Sequence, residues 1–278
     1  MAEAVPAPFD RPDAGFNPLE GWTWIGCYGG YYLQADLLKE FEHGFFTRQW
    51  DDRRPEVLAG YVSAGISVHR PKQVHSALVL PASQASAEPW PEADGLWSDA
   101  GGQSLWVCGA DCTPVLIADP RSGRVAACHA GWRGLAGGIL LNAIELLEQQ
   151  GCHRSELLVA LGPAVSGAHY QVEMEVVDAV VQVLQRARPD LSGAQAAAEL
   201  EECGAVRGDP EPERRRFDIR LATQCLLQLA GLADEQISSC PLCTVSEPLL
   251  FRSWRRDQVK AVQWSGIVSQ QENGLTPG

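Results

Sequence analysis

The sequence predicts an α/β protein, a single layered domain in which a mixed β-sheet is covered by helices. Two observations predict this class. Short apolar runs with β-branched residues alternate along the chain with longer runs in which apolar residues recur at helical spacing. The 278 residues are 45% hydrophobic and 21% charged, which is typical of a globular chain whose core is large enough to fold without disulfides.

The predicted strands are short, and most of them lie in the middle of the chain. Turn residues separate these apolar runs, which is typical of strands buried in a sheet. The predicted strands are 104–110, 114–118, 124–129, 157–161 and 261–268. The helices predicted from apolar spacing are 134–150, 172–186 and 217–229. Gly151 is suited to end the first helix, and Asp218 is suited to cap the N-terminus of the third.

The order of these patterns favours one catalytic domain over residues 21–270. Residues 1–20 are rich in Pro, Ala and acidic residues and predict a flexible N-terminal arm, and residues 271–278 predict a tail. The segment 191–216 is rich in Gly, Ala, Glu and Pro. Because ordered patterns resume on both sides of it, it predicts a surface excursion within the domain rather than a linker.

Charge and cysteine content limit the class of protein. The chain has 22 Lys and Arg against 35 Asp and Glu, a net charge of −13. This balance argues against nucleic acid or anionic membrane as partners, since both require a basic surface. Nine cysteines are too few for a disulfide scaffold. The sequence shows no signal-peptide pattern and no apolar run that could span a membrane, so we expect a cytoplasmic protein.

Three side chains that bind transition metals each lie at the end of a strand-like run. His75 precedes an apolar run, Cys112 lies in a turn between two predicted strands, and His129 ends a third strand. One thiolate and two imidazoles suit Zn²⁺, and three protein ligands leave a fourth position for water or substrate, as in catalytic zinc sites. The spacing is not that of a zinc finger. A single Cu²⁺ with mixed His and Cys ligands is an alternative.

The same three residues also suit a second mechanism. In a cysteine–histidine hydrolase, Cys112 would be the nucleophile and a nearby imidazole, from His75 or His129, would be the base. The sequence therefore leaves a zinc enzyme and a cysteine-dependent amidase open.

Three arginines are candidates for binding an anion. Arg133 lies between glycines at the predicted start of a helix, where free N–H groups and the helix dipole favour negative charge. Arg48 ends the run 43–48, and Arg256 lies in 251–257, a segment with three arginines in a chain that is otherwise acidic. We expect these side chains to bind phosphate or carboxylate.

Several motifs together resemble the YfiH-like family, also called the laccase-domain or polyphenol-oxidase-like family, whose members are regarded as purine nucleoside phosphorylases. The motifs keep the family's order and cover most of the chain. The matching segments are HGFFTR at 43–48, QVHS at 73–76, ADGLWSD at 93–99, ADCTPVLIADP at 110–120, HAGWRGLAGGI at 129–139, LGPAVSGAHYQV at 161–172, and CT followed by FRSWRRD within 243–257. The ADC and HAGWRG elements are the most specific of these.

The resemblance implies a fold similar to that of cysteine-hydrolase-like toxins, with His75, Cys112 and His129 as metal ligands. It also implies phosphorolysis of adenosine, inosine, guanosine or methylthioadenosine, together with adenosine deaminase activity. The expected partners are then a small-molecule nucleoside and phosphate. A bacterial branch of the family is implicated in peptidoglycan precursor editing as an amide hydrolase, and an older copper-oxidase label persists.

Three positions depart from the family pattern. Ser76, Leu135 and Ala164 stand where the family usually has Gly, Thr and Cys. None of them removes a proposed ligand, but they leave the substrate preference open. The first hypothesis is a zinc-dependent purine nucleoside phosphorylase, and the second is a Cys112 amidase. A copper phenol oxidase ranks lower because six scattered histidines are few for multicopper chemistry, and a metal-buffering protein ranks last. The sequence predicts no oligomeric state.

Overall fold

A computed structural model of the chain describes residues 11–12, 19–27 and 30–270. It confirms the α/β class. The strands are β1 (Arg11–Pro12), β2 (Trp22–Cys27), β3 (Gly30–Ala35), β4 (His43–Phe46), β5 (Ser67–His69), β6 (Val79–Pro81), β7 (Gly95–Trp97), β8 (Gln103–Gly109), β9 (Thr113–Ala118), β10 (Val125–Ala130), β11 (Leu158–Leu161), β12 (Gln171–Glu173), β13 (Val206–Gly208), β14 (Arg214–Phe217), β15 (Ile237–Ser239) and β16 (Gln263–Val268). The α-helices are α1 (Pro55–Val62), α2 (Trp132–Ala136), α3 (Ile139–Gln149), α4 (Met174–Ala187), α5 (Gly193–Glu202), α6 (Ile219–Leu229) and α7 (Trp254–Asp257).

Two main β-sheets replace the one mixed sheet expected from the sequence. The first has seven strands in the order β1-β2-β3-β4-β16-β8-β5, and the second has six in the order β15-β11-β9-β10-β7-β6. A third, small sheet has the order β12-β14-β13. The main sheets are mixed, because β5 runs parallel to β8, β6 to β7, and β11 to β15, whereas their other neighbours are antiparallel.

Alternating side chains join the two main sheets into layers. In β9, Val115 belongs to the core under the helices, whereas Leu116 belongs to the core between the sheets. In β8, Leu105 belongs to the core between the sheets, and Trp106 packs in a third core that includes Leu58 of α1. This alternation is the period of two of a β-strand. The order of layers is therefore the main group of helices, the six-stranded sheet, the seven-stranded sheet and α1.

The predicted helix 134–150 is two helices, α2 and α3, separated at Gly137 and Gly138. Gly138 has φ +81, in the left-handed region that favours glycine, and a Cβ there would lie 2.6 Å from Nη1 of Arg186. Apolar residues continue on both sides of the break, so the spacing pattern alone did not reveal it.

The other two predicted helices are present. The third begins as expected, because the Asp218 side chain accepts hydrogen bonds from the backbone N–H groups of Arg220 and Leu221. Within the described part of the chain, no helix combines the length and the apolar composition needed to cross a bilayer.

The segment 191–216, predicted to be a surface excursion within the domain, is ordered and contributes side chains to the core. It forms α5, β13 and the start of β14, and Ala196 and Leu200 of α5 are fully buried in the core under the helices. A reciprocal capping box between Ser192 and Gln195 begins α5. Ala196 and Leu200 are four residues apart, so both lie on one face of α5. The prediction from composition did not detect this short apolar pattern.

The ends of the chain are only partly described. Within the expected arm 1–20, Arg11–Pro12 pairs with β2. Residues 1–10 and 13–18 of the arm, and the expected tail 271–278, lie outside the described residues.

Candidate metal centre

His75, Cys112 and His129 meet at one end of the six-stranded sheet. Cys112 immediately precedes β9, and His129 is the second-last residue of β10, its antiparallel neighbour. His75 comes from the loop before β6. One ligand atom from each residue lies within 4.8 Å of the other two, and the two imidazole centroids are 4.9 Å apart. The structure thus brings together the three residues that the sequence singled out.

The backbone around the three side chains leaves room for them to converge. A Cβ on Gly131 would lie 2.9 Å from Sγ of Cys112 and 3.2 Å from Cδ2 of His75. His75 and Asp111 have φ values of 61 and 103, a region that residues other than glycine rarely adopt. Non-glycine residues with such φ values cluster at functional sites. The local conformation is therefore adapted to hold these donors close together.

Asp94, a fully buried residue directly before β7, holds two of the three candidate ligands. Its Oδ1 accepts hydrogen bonds from Nδ1 of His129 at 2.9 Å and from the backbone N–H of His75 at 3.0 Å. Its Oδ2 accepts from the backbone N–H groups of Val74 and Ser76 and from the Ser76 hydroxyl. When Nδ1 of His129 carries the proton, Nε2 is free to bind a metal. Asp94 is not among the site residues predicted from the sequence, although it lies in the ADGLWSD motif.

Gln73 fixes the other side of the same loop. Its Nε2 donates to the carbonyl of Cys108 at 2.7 Å, and its Oε1 accepts from the backbone N–H of Cys108 at 2.7 Å. The loop that carries His75 is therefore attached to β8 through Gln73 and to the start of β7 through Asp94.

Cys112 and His129 form a coupled acid–base pair. Burial raises the pKa of the Cys112 thiol, but hydrogen bonds from the His129 and His75 imidazoles outweigh burial and lower that pKa to about 6. Burial lowers the pKa of His129, but the Asp94 carboxylate and the Cys112 sulfur raise it to about 9. Near neutral pH the metal-free pair is therefore a thiolate beside an imidazolium.

The donor set fits a transition metal. A thiolate and two imidazole nitrogens are ligands that Zn²⁺ prefers, and the exposed His75 leaves the site open to solvent on one side. Among the residues that the structure describes, these three form the one convergent His, Cys, Asp or Glu cluster of at least three members. Multicopper oxidation requires several coppers, so a single cluster does not favour it.

The metal-free site also has the connectivity of a catalytic triad. Sγ of Cys112 lies 4.0 Å from Nε2 of His75 and within 4.8 Å of a ring nitrogen of His129, and His129 is in turn held by Asp94. This order of nucleophile, base and orienting carboxylate is that of cysteine hydrolases. Both mechanisms considered from the sequence therefore find their residues here.

Two of the three predicted anion-binding arginines have other partners. The guanidinium of Arg256 donates to the Asp257 carboxylate and to the carbonyls of Thr244 and Phe251, and all three of its nitrogens are used. Nη1 of Arg48 donates to the Pro248 carbonyl at 2.7 Å. Arg256 therefore holds the chain around α7 instead of presenting free donors to a ligand.

Arg133 and Arg255 are two exposed arginines in segments that lie beside Cys112 or Asp111. Arg133 lies over the ring of Trp132, 4.3 Å from its centroid. Arg255, which the sequence reasoning did not single out, lies 4.6 Å from the centroid of the Tyr170 ring. The only indication in the sequence was its place beside Arg256 in the FRSWRRD motif.

Asp111 connects Arg255 to the candidate ligand Cys112. Oδ2 of Asp111 accepts from the backbone N–H of Arg255 at 2.7 Å, and Oδ1 accepts from the Thr244 hydroxyl at 2.6 Å.

Burial raises the pKa of Tyr170 to about 12. The charge of Cys112 raises this pKa further, and the positive charges of Arg255 and Arg133 lower it. The charges of Cys112, Arg255 and Arg133 therefore all act on Tyr170.

A match to a protein-family model shows which family the chain belongs to. A family model described as "Multi-copper polyphenol oxidoreductase laccase" matches residues 53–269, which include all three candidate ligands. The chain belongs to this YfiH-like family. The membership covers the loop of His75, both strands of the metal centre and the arginines of α7, so the site described above lies within the matched region.

Relatives of this YfiH-like chain carry the name purine nucleoside phosphorylase. One from Synechocystis sp. is 41% identical over 256 residues, which cover 89% of this chain and 97% of the relative. Another from Deinococcus radiodurans is 30% identical over 263 residues, which cover 94% of this chain and 90% of the relative.

Solved structures show the same fold. YlmD from Geobacillus stearothermophilus has a TM-score of 0.72 at 24% identity, with 90% of the YfiH-like chain and 97% of YlmD covered. The hypothetical protein YfiH from Bacillus licheniformis has a TM-score of 0.71 at 24% identity, with 86% of the YfiH-like chain and 96% of that protein covered. These likenesses support the layered α/β architecture.

Proposed function

We propose that this chain is a zinc-dependent purine nucleoside phosphorylase. The observation that carries the proposal is the convergence of His75, Cys112 and His129 within 4.8 Å, in a chain that aligns over 89% of its length with a relative named purine nucleoside phosphorylase. Zn²⁺ is the metal proposed because the donors are one thiolate and two imidazoles. Bound there, Zn²⁺ would supply a Lewis acid beside the open face of the site.

The chain's own residues would position the reactants. In phosphorolysis, a phosphate oxygen attacks C1′ of the nucleoside, the bond from C1′ to the purine nitrogen breaks, and ribose 1-phosphate and the protonated base form. The phosphate carries negative charge into the site, so it requires fixed positive groups. We assign this role to Arg133 and Arg255, because both are exposed and both act electrostatically on Tyr170, on which Cys112 also acts. Arg48 is a secondary candidate, and Arg256 is not assigned because its donors are occupied.

The substrates proposed are adenosine, inosine, guanosine and methylthioadenosine, and we extend the proposal to deamination of adenosine. Three protein ligands would leave the fourth coordination position of Zn²⁺ open to water, and this supports a hydrolytic activity in the same site. The departures at Ser76, Leu135 and Ala164 lie in the motifs around the site, so the order of preference among these nucleosides is to be measured.

The experiment supplies inosine and inorganic phosphate to purified protein of measured metal content. The proposal predicts hypoxanthine and ribose 1-phosphate in equal amounts, loss of both after chelation, and recovery when Zn²⁺ is added. Cys112→Ala is expected to abolish metal binding and activity, whereas Cys108→Ala, which removes a neighbouring thiol outside the cluster, is the matched control. Fully metal-loaded protein that forms neither ribose 1-phosphate from adenosine, inosine or guanosine nor 5-methylthioribose 1-phosphate from methylthioadenosine would overturn the proposal.

A second candidate is a cysteine-dependent amide hydrolase, favoured by the chain of contacts from Cys112 through His129 to Asp94. It makes the opposite prediction under chelation. Cleavage of a peptidoglycan-type amide would survive removal of the metal, and a thiol-alkylating reagent would modify Cys112 and stop it. Activity that is lost with the metal and restored by Zn²⁺ counts against this candidate.

A further inference from the structure

A narrow slot lies beside the metal centre, between the two main sheets. Its lining includes the candidate ligand Cys112, and its apolar walls are Phe45, Pro114, Pro163 and Phe251. The slot has a volume of about 10 Å³, which is room for a group about the size of one water molecule. A ring therefore does not fit inside it, but a single small substituent does.

Close packing fixes the walls of this slot. A Cβ on Gly162 would lie 2.3 Å from Cδ1 of Phe45 and 2.8 Å from Cγ of Pro114, so only glycine fits between these two walls. Phe45 also packs edge-on against Trp22, with the ring centroids 5.3 Å apart. The slot is therefore formed before any ligand arrives, and it cannot take a larger group unless the core is repacked.

Ser265 of β16 supplies the free polar side chain of the slot. It lies opposite Phe45 of β4 and Val107 of β8, so its side chain is on the sheet face that forms the core between the sheets. Ser265 is only 3% exposed, and its hydroxyl has no hydrogen-bond partner among the residues that the structure describes. Gln263, which also lines the slot, is bonded to the backbone N–H and carbonyl of Arg252. A ligand that bonded to the Ser265 hydroxyl would relieve the cost of burying it without a partner.

We propose that this slot binds the 5′-hydroxyl of the nucleoside and that Ser265 is the residue that recognises it. The inference rests on the proposed function, which brings a nucleoside to the metal centre beside the slot. The 2′-hydroxyl, the 3′-hydroxyl and the substituents of the purine are attached directly to a ring, and a ring cannot enter. The 5′-hydroxyl is attached to the ribose through an additional carbon, so it reaches into the slot while the ring stays outside. Its oxygen then bonds to the Ser265 hydroxyl.

This assignment sets an order among the proposed substrates. Adenosine, inosine and guanosine carry a 5′-hydroxyl, whereas methylthioadenosine carries a methylthio group at that carbon. The methylthio group is larger by one heavy atom, and its sulfur is a weak acceptor with no proton to donate. We expect kcat/KM for adenosine to exceed that for methylthioadenosine, and Ser265→Ala to reduce this ratio by about 3-fold to 10-fold.

The test measures binding without turnover, so that it does not depend on phosphorolysis. Metal-loaded full-length protein is titrated calorimetrically with inosine and with 5′-deoxyinosine in a buffer without phosphate. The wild-type protein should bind inosine about 3-fold to 10-fold more tightly than 5′-deoxyinosine. In Ser265→Ala this preference should vanish, and 5′-deoxyinosine should bind to both proteins equally. Ser265→Cys is nearly isosteric and should also lose the preference, because a thiol bonds weakly, so it replaces the alanine variant if that variant does not fold.

Ser269→Ala is the matched control. Ser269 is also 3% exposed and directly follows β16. Its hydroxyl is already satisfied, because it donates to the Ala100 carbonyl at 2.7 Å and accepts the backbone N–H of Gln103 at 3.0 Å. This variant should keep the wild-type preference for inosine.

The outcomes separate this inference from the proposed function. Equal affinities of the wild-type protein for the two ligands overturn the inference, as do a preference that the Ser265 variants retain and a failure to bind either ligand. Protein that loses the preference only with Ser265, but forms no ribose 1-phosphate when phosphate is added, supports the inference and overturns the phosphorylase. Protein that forms ribose 1-phosphate without any preference overturns the inference alone.

Discussion

Asp94 and His129 are joined twice: the Nδ1–H of His129 donates to the Asp94 carboxylate at 2.9 Å, and the backbone N–H of His129 donates to the Asp94 carbonyl at 2.7 Å. The side-chain bond orients the imidazole, and the backbone bond fixes the strand that carries it. Because the same carboxylate also accepts from the loop of His75, one buried residue sets the positions of two candidate ligands.

Asp94→Asn is expected to weaken Zn²⁺ binding by about 10-fold to 100-fold, the usual effect of losing a carboxylate that supports a metal-bound histidine. The amide removes the negative charge, and its nitrogen cannot accept the hydrogen bonds that Oδ2 accepts now. Competition against a chromophoric chelator measures the affinity. Asp99→Asn is the control, since Asp99 accepts from Ser83 and Gln103 and does not contact the metal centre. Equal affinities of the two variants would contradict the role of Asp94.

Gly131→Ala tests whether the space beside the ligands is needed. The added Cβ would lie 2.9 Å from Sγ of Cys112, closer than such atoms approach, so we expect the thiol to be displaced and metal binding and phosphorolysis to fall at least 10-fold. Gly131 has φ −72, which alanine adopts without strain, so the fold should remain. Metal content by mass spectrometry and circular dichroism report the two effects separately.

Gly208→Ala is the matched control for that substitution, because a Cβ there would meet nothing within 4 Å. It should leave metal content and activity unchanged. A Gly131→Ala protein that binds metal as the wild type does would show that the three donors do not require this space.

Arg255→Met should raise KM for phosphate by about 10-fold to 100-fold with a smaller effect on KM for the nucleoside, since a hydrogen bond to a charged group contributes about 1.5–3 kcal/mol. Methionine keeps an unbranched apolar stem against Tyr170 but removes the charge. Steady-state kinetics with each substrate varied in turn gives both constants. Arg188→Met, at an exposed arginine paired with Asp190, is the control.

Arg256→Met should behave differently from Arg255→Met. Its guanidinium holds carbonyls of Thr244 and Phe251, so its loss is expected to lower the melting temperature by several degrees. If Arg256→Met raised KM for phosphate while Arg255→Met did not, Arg256 would be the phosphate-binding residue, as the sequence predicted. The assignment of that role to Arg255 would then be wrong.

The sequence predicted the metal centre better than its surroundings. His75, Cys112 and His129 were recognisable because each residue type binds metals and each lies beside a strand-like run, and local patterns contain both facts. Asp94 was not recognisable, because its role depends on β7 lying beside β10, a pairing that no local pattern encodes. Arg255 was missed for a related reason, since only the fold shows which neighbouring arginine is occupied.

The secondary-structure elements show the same difference between features that local patterns encode and features that depend on the fold. Strands β8 to β11 were predicted to within one residue at each end because continuous apolar runs report burial directly. Neither the split of one predicted helix at Gly138, where φ is +81, nor the packing of α5 against α4 and α6 is visible in the local apolar spacing. Such contacts override the composition of the segment itself.

Buried His43 is expected to make the fold less stable in mild acid. Its Nε2 accepts from the backbone N–H of Ala35 and its Nδ1 donates to the Phe41 carbonyl, and burial lowers its pKa from 6.5 to about 4. The unfolded chain binds the proton first, so the contribution of His43 is present above pH 6.5 and is lost as the pH falls to about 4. The loss amounts to about 3 kcal/mol.

Urea unfolding at pH 7 and pH 4.5 measures this dependence. His43→Asn keeps a donor for Phe41 but does not titrate, so the free energy of unfolding should change less between the two pH values than in the wild type. His153→Asn, at an exposed histidine, is the control and should keep the wild-type slope. Identical slopes for all three proteins would assign the acid sensitivity to other groups.

Leu200→Ala distinguishes a structural α5 from a surface excursion. Leu200 is fully buried, and truncating a leucine in a core costs about 2–5 kcal/mol of unfolding free energy. Leu249→Ala makes the same change at a side chain that is 83% exposed and should cost less than about 0.5 kcal/mol. Urea unfolding of both variants gives the comparison. If the two substitutions had equal, small effects, α5 would contribute nothing to the core, and the interpretation from composition would be correct.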